Sequence, residues 1–81
     1  MKLRIKQVAK SKGIDLQTLS KRLGITYQAL NARMVGNPSA KVLQEIADVL
    51  ECSIFELIEA DKYTEHSFNE KGDWRGIRVK D

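Results

Sequence analysis

Up to residue 60 the apolar positions recur at helical spacing. Leu3, Ile5, Val8 and Ala9 share one face and predict a first helix over about residues 2–12. Gly13 ends it, a residue suited to a left-handed C-terminal cap. Asp15 stands where an N-cap belongs, and Leu16, Leu19 and Leu23 then give a second helix near 16–23. Gly24 follows, with Ile25 as an apolar plug. Thr26 can cap a third helix, about 27–35, whose clearest inward residue is Leu30. The stretch "VGNPS" gathers a glycine, an asparagine and the only proline, and interrupts the pattern. Ser39 opens a fourth helix, about 40–50, with Val42, Leu43, Ile46, Ala47 and Leu50 on one stripe. Ser53 opens a fifth, about 54–59, using Ile54, Leu57 and Ile58. None is long enough to be stable without packing, so an all-α fold is expected in which five helices share one core.

Beyond residue 60 the character changes. The segment "DKYTEHSFNEKGDWRGIRVKD" has little apolar content and no helical stripe. "WRGIRV" alternates weakly, and "NEKGD" can turn the chain back on "HSF". The segment is read either as disordered in the free protein or as a small hairpin needing a partner surface, since an isolated hairpin is marginal in water. The chain thus divides into a folded domain, residues 1–60, and a tail, 61–81, available for dimerisation or for binding a partner protein.

Charge sharpens this picture. The net charge of +3 conceals a strong polarity. Residues 1–41 carry nine Lys/Arg against the single acid Asp15, whereas residues 42–60 carry five acids and no base. A basic pole of this kind attracts a polyanion. The one cysteine, Cys52, admits no internal disulfide and reads as a small buried hydrophobe. His66, in the polar tail, reads as solvated. No run approaches the ~18 apolar residues of a membrane span, and no signal-peptide apolar core opens the chain. No membrane association and a cytoplasmic location are expected.

The central stretch "LSKRLGITYQALNARM" joins two short amphipathic segments at a lone glycine, with Thr26, Tyr27, Gln28, Asn31 and Arg33 held outward in the second. With "GNPS" after it and "VLQEIADVLECSIFELI" beyond, it resembles the phage-repressor-like (Cro-type or Xre-type) helix-turn-helix family over about residues 3–58. The resemblance implies a five-helix, lambda-repressor-like domain in which Ser20 is the small residue that lets the third helix approach. Gly24 is then the turn glycine and Leu30 the apolar anchor of the recognition helix. Such a helix enters the ~12 Å wide major groove, where each base pair shows a distinct pattern of donors and acceptors.

By position in that family, Gln28 is the first choice for base readout, because its amide can pair with adenine N6 and N7. Tyr27 and Asn31 join it. Gln17, Thr26, Arg33, Asn37, Ser39 and Lys41 are assigned to phosphates, helped at helix N-termini by the dipole. Lys21, Arg22 and the lysines of the first helix supply a less specific field. The chain departs from the family in three places. Leu16 stands where a phosphate-binding Gln is common, with Gln17 next to it. Ala9 and Met34 replace an Arg–Glu pair, a mutually consistent exchange that leaves no unpaired charge. Arg33 occupies a position that is usually apolar. Either it lays its stem on the core and reaches a phosphate, the preferred reading, or Met34 takes the core position by a slight rotation of the helix.

The leading expectation is therefore a sequence-specific regulator of double-stranded DNA, a repressor acting as a homodimer on an inverted repeat. The fifth helix, with Phe55, or the tail, with Trp74, would supply the dimer surface or complete the monomer core. The alternative is an antitoxin or interaction module whose tail wraps a partner protein. Catalytic residues, a metal site and cofactors are not expected: His66 and Cys52 are single, no ligand spacing joins them, and no Gly-rich phosphate loop occurs.

Overall fold

The structure, a computed structural model, describes residues 2–81. Its order is α1 (Ile5–Ser11), α2 (Leu16–Leu23), α3 (Tyr27–Val35), α4 (Ala40–Leu50), a 3-10 turn (Ile54–Leu57), β1 (Thr64–Phe68) and β2 (Trp74–Val79). The caps read from the sequence form. Asp15, Thr26 and Ser39 each accept a hydrogen bond from the backbone N–H three residues on, at 2.7, 3.1 and 3.3 Å. Each thereby satisfies one donor that the first helical turn leaves free. The core gathers Ile5, Val8 and Ala9 of α1, Leu19 of α2, Leu30 of α3, Leu43, Ile46, Ala47 and Leu50 of α4, and Leu57.

Two departures from the expected helices have one cause. The first helix starts at Ile5 instead of residue 2, and the fifth is a single 3-10 turn, so the domain has four α-helices and not five. Leu3 and Ile58 form an antiparallel bridge. Arg4 donates its N–H to the Leu57 carbonyl at 2.7 Å, and Glu59 donates to the Lys2 carbonyl at 2.9 Å. The backbone groups at both ends of the domain thus bond sideways to each other, and neither helix continues through them.

The tail is a hairpin, the second of the two readings of that segment, and adds a two-stranded sheet to the helical domain. β1 and β2 pair antiparallel, Thr64 with Val79 through Ser67 with Gly76, with an irregularity at Ser67/Phe68. The Asn69 side chain accepts from the N–H groups of Lys71 and Asp73, both at 2.9 Å, and closes the turn. His66 is half-buried and hydrogen-bonded, not solvated as the sequence suggested. Trp74 donates its indole N–H to His66 Nδ1 at 2.7 Å. An indole nitrogen can only donate, so Nδ1 accepts and Nε2 carries the proton, donating to the Ile58 carbonyl at 2.8 Å. This relay ties the hairpin to the segment that bridges Leu3. Trp74 is half-buried while Phe55 remains 60% exposed, so Phe55 does not complete the monomer core.

The Asp15 cap has a pH signature. Its hydrogen bonds from Thr18 hold its carboxyl below the usual carboxylate range. A carboxyl lowered in the folded state contributes stability above its unfolded pKa, and that contribution is lost as pH falls through the folded value. Asp15→Asn keeps a capping oxygen that does not titrate. Thermal melts at pH 5 and pH 3 should therefore show a smaller loss of stability on acidification in Asp15→Asn than in wild type. Equal losses would separate the cap from the acid sensitivity.

Candidate nucleic-acid interface

The two central helices meet through a turn whose geometry their residues dictate. Gly24 takes the left-handed conformation, φ 72°, that ends α2, and Ile25 donates its N–H back to the Ser20 carbonyl at 3.0 Å. Glycine adopts this conformation without the steric cost a Cβ would bring. Ser20 is buried, and its hydroxyl donates to the Gln17 carbonyl at 2.7 Å, so a small polar side chain is satisfied within its own helix. Leu30 is fully buried and holds α3 on the core.

With Leu30 inward, the outermost stripe of α3 is Gln28, Ala32 and Val35, all exposed. These follow one another at i, i+4 and i+7, one face of a helix. Tyr27, Asn31 and Arg33, all expected to point outward, are half-buried. Asn31 borders a groove of about 260 Å³ beside α1, lined also by Lys6, Gln7 and Met34. Met34 packs against the core, as the second of the two readings expected. Arg33 has nonetheless a partly covered side chain. Sequence reasoning passed over Ala32 and Val35, although their spacing from Gln28 was there to be read.

Gln17, Thr26, Asn37, Ser39 and Lys41 are all exposed. In Thr26 and Ser39 the capping bond uses an oxygen lone pair, which leaves the O–H free to donate to an anion. The helix ends differ, however. The N-terminus of α2 already carries the Asp15 carboxylate, which offsets the positive end of that helix dipole. Those of α3 and α4 have neutral caps. Lys6, Lys10, Lys21, Arg22 and Lys41 are exposed, as are the acids Glu45 and Asp48 farther along α4. Burial pushes the Cys52 thiol up, with the Glu56 carboxylate adding to the shift, which leaves it a poor nucleophile. Among the described residues no His/Cys/Asp/Glu group is arranged to hold a metal, and no helix is long and apolar enough to cross a membrane.

A buried small residue in α2, a glycine turn and an anchored α3 with an open outer face define a helix-turn-helix domain. The helix-turn-helix family model matches residues 5–57, and the chain belongs to this phage-repressor-like DNA-binding family. Among its relatives, the HTH-type transcriptional regulator SinR of Bacillus subtilis (strain 168) is 30% identical over 77 residues, covering 91% of this chain and 69% of SinR. SinR of Bacillus licheniformis is 29% identical over the same shares of the two chains. No solved structure matches significantly.

Proposed function

We propose that the chain is a sequence-specific transcriptional regulator that binds double-stranded DNA, acts as a repressor and reads the major groove with α3. The observation that carries this reading is the exposed, uncharged outer face of α3, flanked by neutral-capped helix N-termini and exposed lysines. Gln28 is the principal base reader, with Tyr27 and Asn31 flanking it. Thr26, Asn37, Ser39 and Lys41 grip phosphates, and Gln17 does so through its amide beside the Asp15 carboxylate. Arg33 reaches the backbone from a partly covered position. Sequence similarity to regulators named for transcription supports the role. The acidic pole beyond Val42 orients the domain by repelling the same polyanion.

One domain makes few base contacts, so the proposed unit is a homodimer on an inverted repeat. Phe68 and Val79 leave apolar surface exposed on the hairpin, and Phe55 does so on the 3-10 turn, so each of these surfaces offers a contact for the dimer. The same exposure supports the second reading, in which the hairpin serves a partner protein and the chain is an antitoxin. Co-purification from the native host separates the two: a stoichiometric second polypeptide favours the partner, and a homodimer alone favours the first.

The electrostatic part of the reading is tested by titrating a duplex at several salt concentrations. Each neutralised phosphate contributes about 0.9 to the slope of log K against log salt. Lys41→Ala should weaken all duplexes alike and lower that slope by about 0.9. An unchanged slope would remove Lys41 from the phosphate contacts.

A further inference from the structure

We propose that the cleft between the helical domain and the hairpin binds a small organic dication, a diamine with an ammonium group at each end. The cleft has a volume of about 420 Å³, and none of its lining residues belongs to α3. The site is therefore separate from the proposed DNA-reading face. Ligand cavities commonly begin at about 300 Å³. The residue that calls for a ligand is Glu56. It lines the cleft and is 9% exposed, yet among the described residues its carboxylate has no ion-pair or hydrogen-bond partner. Arg4 donates to the Glu56 backbone carbonyl at 3.0 Å and not to the side chain. Among the described residues no fully enclosed side-chain oxygen lacks a partner, so this carboxylate keeps its opening to the cleft it lines. Burying a carboxylate without a counter-charge is costly, and a bound cation removes that cost.

The charge of the lining sets the class of ligand. Glu51, Glu56 and Asp73 bring three carboxylates against the one ammonium of Lys12, a formal balance of −2. Glu51 is the C-cap of α4, with φ 54°, a left-handed conformation in which glycine is usual. A carboxylate thus stands at the cleft where the backbone alone favours no side chain. Asp73 belongs to the hairpin turn, and one of its oxygens accepts from the Asn69 amide at 3.2 Å. Two carboxylates therefore line the domain wall and one the hairpin wall. Among the described residues no acidic group is arranged to hold a metal ion, and separated carboxylates suit separated charges. Trp74 lines the same cleft, its indole fixed by the bond to His66 at 2.7 Å. An indole ring attracts an ammonium group within about 6 Å of its centre. A diamine with one end at Glu56 and the other at Asp73 holds the hairpin against the domain.

Trp74 is the only tryptophan of the chain, so its fluorescence reports on the cleft directly. The full chain is titrated at about 0.1 M salt with the straight-chain diamines of four and six carbons, and with the corresponding monoamines and diols. At least one diamine should give a saturable change and its diol none. The monoamine should bind about tenfold more weakly, because one charged hydrogen bond is lost. Glu56→Gln should weaken the diamine by about tenfold or more for the same reason. Glu45→Gln, at an exposed position outside the cleft, should bind it as wild type does. Amide shift mapping on isotope-labelled wild type makes the test independent of how any variant folds. The shifts that saturate with diamine should gather at residues 11–12, 51–53, 56 and 72–74, around the cleft. Failure of both diamines to saturate, equal affinity for diamine and monoamine, or a folded Glu56→Gln that binds like wild type would each overturn the site. Shift changes spread over the exposed acids of α4 would do so too, since they would mark simple charge screening. None of these results bears on the DNA-binding reading, which the duplex titrations test.

Discussion

Replacing Leu30 by Ala should lower the free energy of unfolding by about 2–5 kcal/mol, measured by urea denaturation. Leu30 is fully buried at the centre of α3 and belongs to the core cluster that also contains Leu19 and Leu50. Truncation removes the transfer energy of the lost methyl groups and leaves a cavity that the neighbours fill only in part. A domain of this size has about 5–15 kcal/mol of stability in all, so the loss is a large share of it. The consequence reaches function because Leu30 is the fully buried residue of α3, and the outer stripe keeps its orientation only while that anchor holds. A loss below about 1 kcal/mol, outside the usual range for buried leucines, would mean that something other than Leu30 seats the helix.

Gln28→Ala should leave stability unchanged and weaken binding to the preferred duplex by about 1–3 kcal/mol, with relaxed preference at one base pair. Gln28 is exposed, so truncation opens no cavity. Its amide is the only such group on the outermost stripe of α3, since Ala32 and Val35 have no polar atoms to share the load. Weaker binding with an unaltered selected site would assign Gln28 to the backbone instead of a base.

Much of the helical framework was legible because its signals are local. Asp15, Thr26, Ser39 and Ser53 each bond a backbone N–H within three residues, and each marks its element's start. Gly24 likewise needs only its own φ and the preceding turn. The illegible parts depend on distant chain. Residues 2–4 carry a helical pattern of apolar side chains, but their backbone is claimed by residues 57–59, more than fifty positions away. The fifth helix shortened to one turn for the same reason. His66 looked like a solvated tail residue because its two partners, the Ile58 carbonyl and the Trp74 indole, lie eight residues away on either side.

The recognition helix shows a subtler limit. The polar residue types drew attention to Tyr27, Asn31 and Arg33, yet angular position around Leu30 decides exposure. It brings out Gln28, as expected, together with Ala32 and Val35. Polarity alone is a weak guide to which residues of a short helix lie outermost, since the turn of the helix about its buried anchor sets that.

The most direct test of the central claim is selection of bound sites from a random duplex library at about 0.1 M salt, where long-range attraction is partly screened. Enrichment of an inverted repeat with half-sites about 10 bp apart is the predicted result, the footprint of a symmetric dimer reading adjacent turns of the major groove. Weak binding without any shared sequence would contradict it, and would leave the hairpin and a protein partner as the place to look for function.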